Sequence, residues 1–251
     1  MVAQEVTLHD VWANNLEEEF SKLRDLLDTY PYVAMDTEFP GVVATPMGQF
    51  KSKEDFNYQQ LYCNVNMLKL IQVGFALVDA EGHLPPSGDM WQFNFHFSLT
   101  DDMYSVDSVE LLKMAGFDFN RHQNEGIRME DFGELLTTSG LIVDSKITWL
   151  TFHSCFDFGY LIKSILNGHL PMDEKEFFRY YKAFFPKSYD IKMLMKEPGP
   201  ASKLKGGLQD VADTLQVTRI GRRHQAGSDA LLTARTFFKI KELFFADNWN
   251  E

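Results

Sequence analysis

Asp36 and Glu38 stand two residues apart at the end of an apolar run, Tyr32 to Met35, which Pro40 and Gly41 then stop. Side chains at i and i+2 of a strand point to the same side, so a strand here presents both carboxylates on one face. Two acids held together repel each other and resist desolvation. A divalent cation between them removes that cost, and hard oxygen donors suit Mg²⁺ or Mn²⁺. Alone, the pair would be two ordinary acids where a strand emerges into solvent. Three further residues change its meaning. Asp157 follows the apolar run 147–153 where a helix should start, Asp229 opens the last helix, and His224 lies in the loop before it. Each has an ordinary role as well, either a first-turn acid complementing the helix dipole or a solvated loop histidine. In this order, however, four carboxylates and one imidazole are the set a two-metal phosphodiesterase needs. The cations activate water and neutralise phosphate, and a histidine of near-neutral pKa takes the proton.

These residues need a frame, and the hydrophobic pattern supplies one. Leu16, Phe20, Leu23, Leu26 and Leu27 recur at helical spacing over 14–30, with acids early and Lys22 and Arg24 later. Strands are predicted to follow from Tyr32, at 68–79 and at 90–97, the last alternating Trp91, Phe93, Phe95 and Phe97 with Gln92, Asn94 and His96. Short links between the three suggest an antiparallel meander. Segment 41–66, with Pro46 and Gly48, reads as a long, largely irregular loop of the kind that often covers a site. Helices are expected at 101–115, with Thr100 as its cap, and at 129–139. A strand at 147–153, a helix at 157–166, an aromatic helix at 174–185 and a short strand at 189–195 come next. After a loop at 199–207, helices at 208–215 and 228–245 complete the chain. The expected architecture is α/β, a single domain over 1–251.

Composition agrees with a folded protein. Of 251 residues, 45% are hydrophobic and 22 are Phe, enough for one sizeable core. Cys63 and Cys155 are the only cysteines, which argues against a disulfide framework and for a reducing compartment. Residues 1–10 lack a cationic-then-apolar targeting pattern, and no apolar run approaches bilayer length. A soluble, untargeted protein is therefore expected. With a net charge of −12, nucleic acid could be bound only locally or through metal.

The ordered set Asp36, Glu38, Asp157, His224 and Asp229 resembles the DEDD superfamily of 3′–5′ exonucleases, in its histidine-bearing subclass. More closely, the stretch from Tyr32 to Val43 is similar to the first motif of the Caf/Pop-type deadenylases, the nuclease subunits of the CCR–NOT complex. So are Trp91-Gln92-Phe93-Asn94-Phe95, Phe152-His153-Ser154 with Asp157 to Lys163, Leu204 to Gln209, and His224 to Thr233. The likeness runs from about Trp12 to Phe245. It implies a ribonuclease H-like mixed β-sheet flanked by α-helices. It also implies two divalent metal ions (Mg²⁺ or Mn²⁺, with Zn²⁺ as an alternative) on Asp36, Glu38, Asp157 and Asp229, with His224 as general base. The substrate implied is the mRNA poly(A) tail, the partners are the Not scaffold and the Ccr-type nuclease, and the setting is the cytoplasm with nuclear function left open. Cys155-Phe156, just before Asp157, departs from the family's expected pair, and the ordinary explanation is a packing change.

Substrate contacts are less sharply marked. Phe39 could stack on a terminal base or fill a strand end. Lys205 in its glycine-flanked loop could approach a phosphate, and His153 could support the metal ligands or simply be buried. Arg219, Arg222 and Arg223 could touch the RNA backbone or only solvate a surface. Two other activities fit the same residues, a DEDD exonuclease indifferent to poly(A) and a bridging scaffold that keeps the fold.

Overall fold

The computed structural model describes residues 5–246. The ends of the expected 1–251 domain, 1–4 and 247–251, lie outside the described residues. Along the chain come β1 (Thr7–Val11), α1 (Leu16–Leu26), β2 (Tyr32–Glu38), α2 (Lys53–Met67), β3 (Gln72–Val78) and β4 (Asp89–Asn94). The helices α3 (Val106–Met114), α4 (Phe119–Glu125) and α5 (Met129–Thr138) precede β5 (Thr148–Thr151), α6 (Cys155–Leu166), α7 (Glu174–Phe184) and β6 (Ser188–Asp190). The short α8 (Ile191–Leu194), a 3-10 turn at Pro200–Lys203, α9 (Leu208–Thr214) and the long α10 (Ala226–Phe244) follow.

The strands form one sheet in the order β1-β4-β3-β2-β5-β6. β2, β3 and β4 make the expected antiparallel meander, while β1, β5 and β6 add in parallel at the two sides. Alternation splits the side chains between two cores. Val33, Met35, Val73, Phe75, Trp91, Phe93 and Trp149 join one face with residues of α1, α2, α5 and α6. Ala34, Ala76, Met90 and Leu150 join the other with residues of α9 and α10. The α10 face is lined by small residues because the helix comes very close: a Cβ on Gly74 would stand 2.1 Å from the Ala226 carbonyl oxygen. Only glycine permits that approach.

Several expectations need correction. Half of the predicted loop 41–66 is the helix α2, started by Ser52 Oγ accepting from the Asp55 N–H at 3.2 Å. Its buried face is Tyr58, Leu61, Asn64 and Val65, and the polar Asn64 hides the stripe from a hydrophobicity reading. Asn64 is buried because it bonds the loop, accepting from Val43 and Ala44 N–H at 2.8 and 2.9 Å. The helix predicted from residue 101 begins only at Val106, and Thr100 is not its cap. Asp101 and Asp102 instead turn back to Ser98, at 2.8 Å each. The strand predicted at 189–195 is three residues long and gives way to α8, because the Asp190 carboxylate accepts from the Lys192 N–H at 2.8 Å and caps that turn. The edge strand β1 and helix α4 were not anticipated.

The close approach of α10 yields a stability prediction. Gly74→Ala is expected to destabilise the fold by about 3 kcal/mol or more, seen as a lower urea midpoint. An unchanged midpoint would mean that α10 can retreat from β3.

Candidate active site

The register of the meander arranges the site. Asp36 pairs with Gly74 and Glu38 with Gln72, while Gly74 pairs with Gln92 and Gln72 with Asn94. Directly opposed residues share a face, so Asp36 and Glu38 point toward α10, as their i, i+2 spacing implies. Thr37 points the other way, toward α6. Asp229, in the first turn of α10, meets the pair: carboxylate oxygens of Asp36, Glu38 and Asp229 all lie within 4.8 Å of one another. Asp157, in the first turn of α6, arrives from the opposite face and accepts a hydrogen bond from Thr37 Oγ1 at 2.6 Å. The end of β2 is thus clasped from both sides.

Polar residues on the sheet hold the α10 start in place. Gln72 Oε1 accepts from the Ala226 N–H at 2.8 Å, and Gln92 Oε1 from the Gly227 N–H at 3.1 Å. These N–H groups have no partner within the helix, so the two glutamines satisfy orphan donors while fixing the helix. Gln72 and Gln92 are themselves held by Asn94 Oδ1 at 2.7 Å and Gln225 Oε1 at 3.0 Å. All three sheet residues are buried, which makes the network costly to leave half satisfied. The turn ahead of Asp157 has its own clamp. Asp190 accepts from the His153 and Ser154 N–H groups at 2.9 Å each and from Ser154 Oγ at 3.0 Å.

Burial and crowding raise Asp36, Glu38 and Asp157. Burial, with the Asp229 and Asp157 charges added, pushes the Glu38 carboxyl up to about 8. Burial pushes Asp157 up to about 7, against the Thr37 hydroxyl bond that favours its charged form. Asp36 is also driven well above the usual carboxylate range, by burial first and then by Asp157, Asp229 and Glu38. His224 stands with Nδ1 3.9 Å from Glu38 Oε1, about one-third exposed, on a left-handed backbone (φ 59°). Burial lowers its pKa, with Asp229 opposing, so the ring is neutral and able to accept a proton at neutral pH.

One cation enters the cluster. Arg219 Nη2 lies 2.7 Å from Asp229 Oδ1, and its other nitrogens donate to Gln209 Oε1 at 2.5 Å and Ser228 Oγ at 3.0 Å. In sequence Arg219 groups with Arg222 and Arg223, but those two are exposed and Arg219 is not. Asp190 was missed too; its spacing from Asp157 gives no hint that β6 lies beside β5. Of the three candidate substrate residues, Phe39 is half-buried and stacks on Phe156 at 5.1 Å with Tyr160 at 5.4 Å. The unusual Phe156 is therefore packing beside the site. His153 is exposed, on a left-handed backbone (φ 65°), rather than buried. Lys205 is exposed.

With this geometry in view, the relatives are informative. The model of the CAF1 family ribonucleases matches residues 11–131 and 128–237, and the chain belongs to that family. It is 66% identical over 250 residues to the Caenorhabditis elegans protein named CCR4-NOT transcription complex subunit 7, covering 99% of this chain and 81% of that one. Pop2p of Schizosaccharomyces pombe, solved in a form with Mg²⁺ and Mn²⁺ bound, matches with a TM-score of 0.92 at 52% identity, over 95% of this chain and 93% of that one. A yeast structure of the NOT1 MIF4G domain co-crystallised with CAF1 matches with a TM-score of 0.80 at 33% identity, over 94% and 89% of the two chains. The expected α/β fold, a ribonuclease H-like mixed sheet between helices, is the one observed.

The raised acids make stability depend on pH. Glu38 and Asp157 bind protons more tightly folded than unfolded, so between about pH 4 and their folded values the native chain holds protons the unfolded chain has released. Stability of the metal-free protein should therefore fall as pH rises from about 5.5 to about 8, read as Tm in EDTA. Mg²⁺ or Mn²⁺ should recover most of that loss at the higher pH. A flat profile in EDTA would mean that the carboxylates are not crowded in solution.

Proposed function

We propose that this chain is a metal-dependent 3′–5′ exoribonuclease that removes AMP from mRNA poly(A) tails. The carrying observation is the cluster of Asp36, Glu38 and Asp229 oxygens within 4.8 Å of one another, with His224 beside Glu38 and Asp157 across the strand. A protein that used the fold only to bridge partners would gain stability by losing this cluster, since burial raises Asp36, Glu38 and Asp157 above the usual carboxylate range. The membership of the CAF1 ribonuclease family supports the same reading.

In this reading Asp36, Glu38, Asp157 and Asp229 would hold the divalent ions. An all-oxygen donor set without thiolate fits Mg²⁺ or Mn²⁺, and the Pop2p relative was solved with both. When bound, two such ions supply positive charge to the scissile phosphate and to the departing 3′ oxygen. The chain does the rest. Asp36, Glu38 and Asp229 fix the geometry from the α10 face, and Thr37 holds Asp157 from the α6 face. His224 takes a proton from the attacking water through a ring nitrogen that burial keeps unprotonated. The preference for poly(A) is supported by a 52% identical relative named Poly(A) ribonuclease pop2 in Schizosaccharomyces pombe, matched over 95% of this chain and 70% of that protein.

The same reading assigns the chain to a CCR–NOT assembly, with a Not scaffold and a Ccr-type nuclease as partners, supported by the names of its relatives. It places the work in the cytoplasm, supported by the two unpaired cysteines, Cys63 and Cys155. Among the described residues, no helix is long and apolar enough to cross a membrane.

The decisive assay is a time course on 5′-labelled RNA carrying a 3′ oligo(A) tail, beside the same RNA with a non-A tail, with Mg²⁺ or Mn²⁺. A ladder that shortens from the 3′ end and stalls at the A boundary is expected. Equal trimming of both tails would leave a DEDD exonuclease without poly(A) selectivity, and no trimming by folded protein would leave a scaffold. Asp36→Ala and excess EDTA should each abolish turnover. His224→Ala should slow it roughly 10²–10⁴-fold while calorimetric metal binding persists.

A further inference from the structure

Arg219 is placed where a metal ligand would normally be left free. Its Nη2 sits 2.7 Å from Asp229 Oδ1, and two further bonds, to Gln209 Oε1 at 2.5 Å and Ser228 Oγ at 3.0 Å, hold the guanidinium independently of that carboxylate. Ser228 in turn donates to the Ile220 carbonyl oxygen at 2.7 Å, and a Cβ on Gly221 would lie 3.0 Å from the Ser228 side chain. The arginine is thus anchored by α9, by α10 and by the loop between them, with its side chain only 13% exposed. It is preorganised, and an ion entering the site meets it already in position.

We propose that Arg219 is a resident counter-cation that sets the metal affinity of the carboxylate cluster. The proposal rests on the reading of Asp36, Glu38, Asp157 and Asp229 as the metal site. In the metal-free chain Arg219 offsets the repulsion between Asp229 and its neighbours Asp36 and Glu38, and so stabilises the empty site. It also occupies one oxygen of Asp229, leaving the other for a cation. Because its anchors on Gln209 and Ser228 do not depend on Asp229, the guanidinium stays nearby when an ion binds, and two positive charges then share one carboxylate. Arg219 accordingly favours the empty site over the loaded one. By linkage, whatever it adds to the metal-free state beyond what it adds to the loaded one it subtracts from metal binding. Such a residue keeps the ions exchangeable rather than permanently seated.

The test compares wild type with Arg219→Gln and Arg219→Lys, by Mn²⁺ calorimetry and by thermal unfolding in EDTA and in saturating Mn²⁺. Arg219→Gln, which keeps hydrogen-bonding ability and loses charge, should tighten Mn²⁺ binding about fivefold or more. It should lower Tm in EDTA and leave Tm in saturating Mn²⁺ near the wild-type value. Arg219→Lys, which keeps the charge, should bind Mn²⁺ within about twofold of wild type. Unchanged or weaker Mn²⁺ binding by Arg219→Gln overturns the proposal, as does an equal fall of Tm in both conditions, which marks a merely structural residue. Tightening by Arg219→Lys equal to that of Arg219→Gln overturns it as well, because charge would then not be the cause. Absence of Mn²⁺ binding by folded wild type would instead remove the metal site itself.

Discussion

Mutual repulsion of carboxylates at the end of β2 is the constraint around which this molecule is built. Asp36, Glu38, Asp157 and Asp229 are brought together from three elements and from both faces of the sheet. Burial and proximity raise three of them toward neutrality. No arrangement of four acids holds itself in place. Each must be fixed by bonds that do not depend on the others, or the cluster would relax by rotating outward. The structure supplies such bonds one acid at a time: strand register for Asp36 and Glu38, Thr37 and the Asp190 clamp for Asp157, and Arg219 for Asp229.

The largest share of this restraint is carried by the position of α10. Close seating on Gly74 sets its distance from β3, and the Gln72 and Gln92 bonds to its first N–H groups set its height along the sheet. Asp229 follows as a consequence, one turn further on. The helix start is thus positioned by sheet residues rather than by a side-chain cap of its own, which the structure lacks at Gln225. A local cap would stabilise the helix as well, but it would not tie Asp229 to Asp36 and Glu38.

Much of this was legible in the sequence because the signals were local. The apolar run before Asp36, the period-2 pattern of Trp91 to Asn94 and the apolar face of the last helix each name their element directly. The i, i+2 spacing of Asp36 and Glu38 even fixes their common face. What escaped depended on tertiary partners. Helix α2 was hidden because Asn64, a buried polar residue, occupies its core stripe to bond the 43–44 backbone. Edge strand β1 is half polar and exists as a strand because it pairs with β4. Asp190 and Arg219 look like ordinary surface charges, and only the adjacency of β6 to β5 and the fold of the α9–α10 loop turn them inward.

The block Trp91-Gln92-Phe93-Asn94-Phe95, which carried part of the family likeness, acts as a unit of structure. Its odd residues, Trp91, Phe93 and Phe95, pack into the core on the α1 and α5 side. Its even residues, Gln92 and Asn94, work on the other face: Gln92 holds the start of α10, while Asn94 holds Gln72 and bonds Asp10 Oδ1 and the Val11 carbonyl oxygen of β1 at 2.7 and 3.0 Å. One strand therefore joins the aromatic core, the edge strand and the helix that carries Asp229. These polar groups are committed to protein partners, which leaves little of their bonding capacity for a nucleotide base. The block accordingly fixes where the start of α10, and with it Asp229, stands against Asp36 and Glu38.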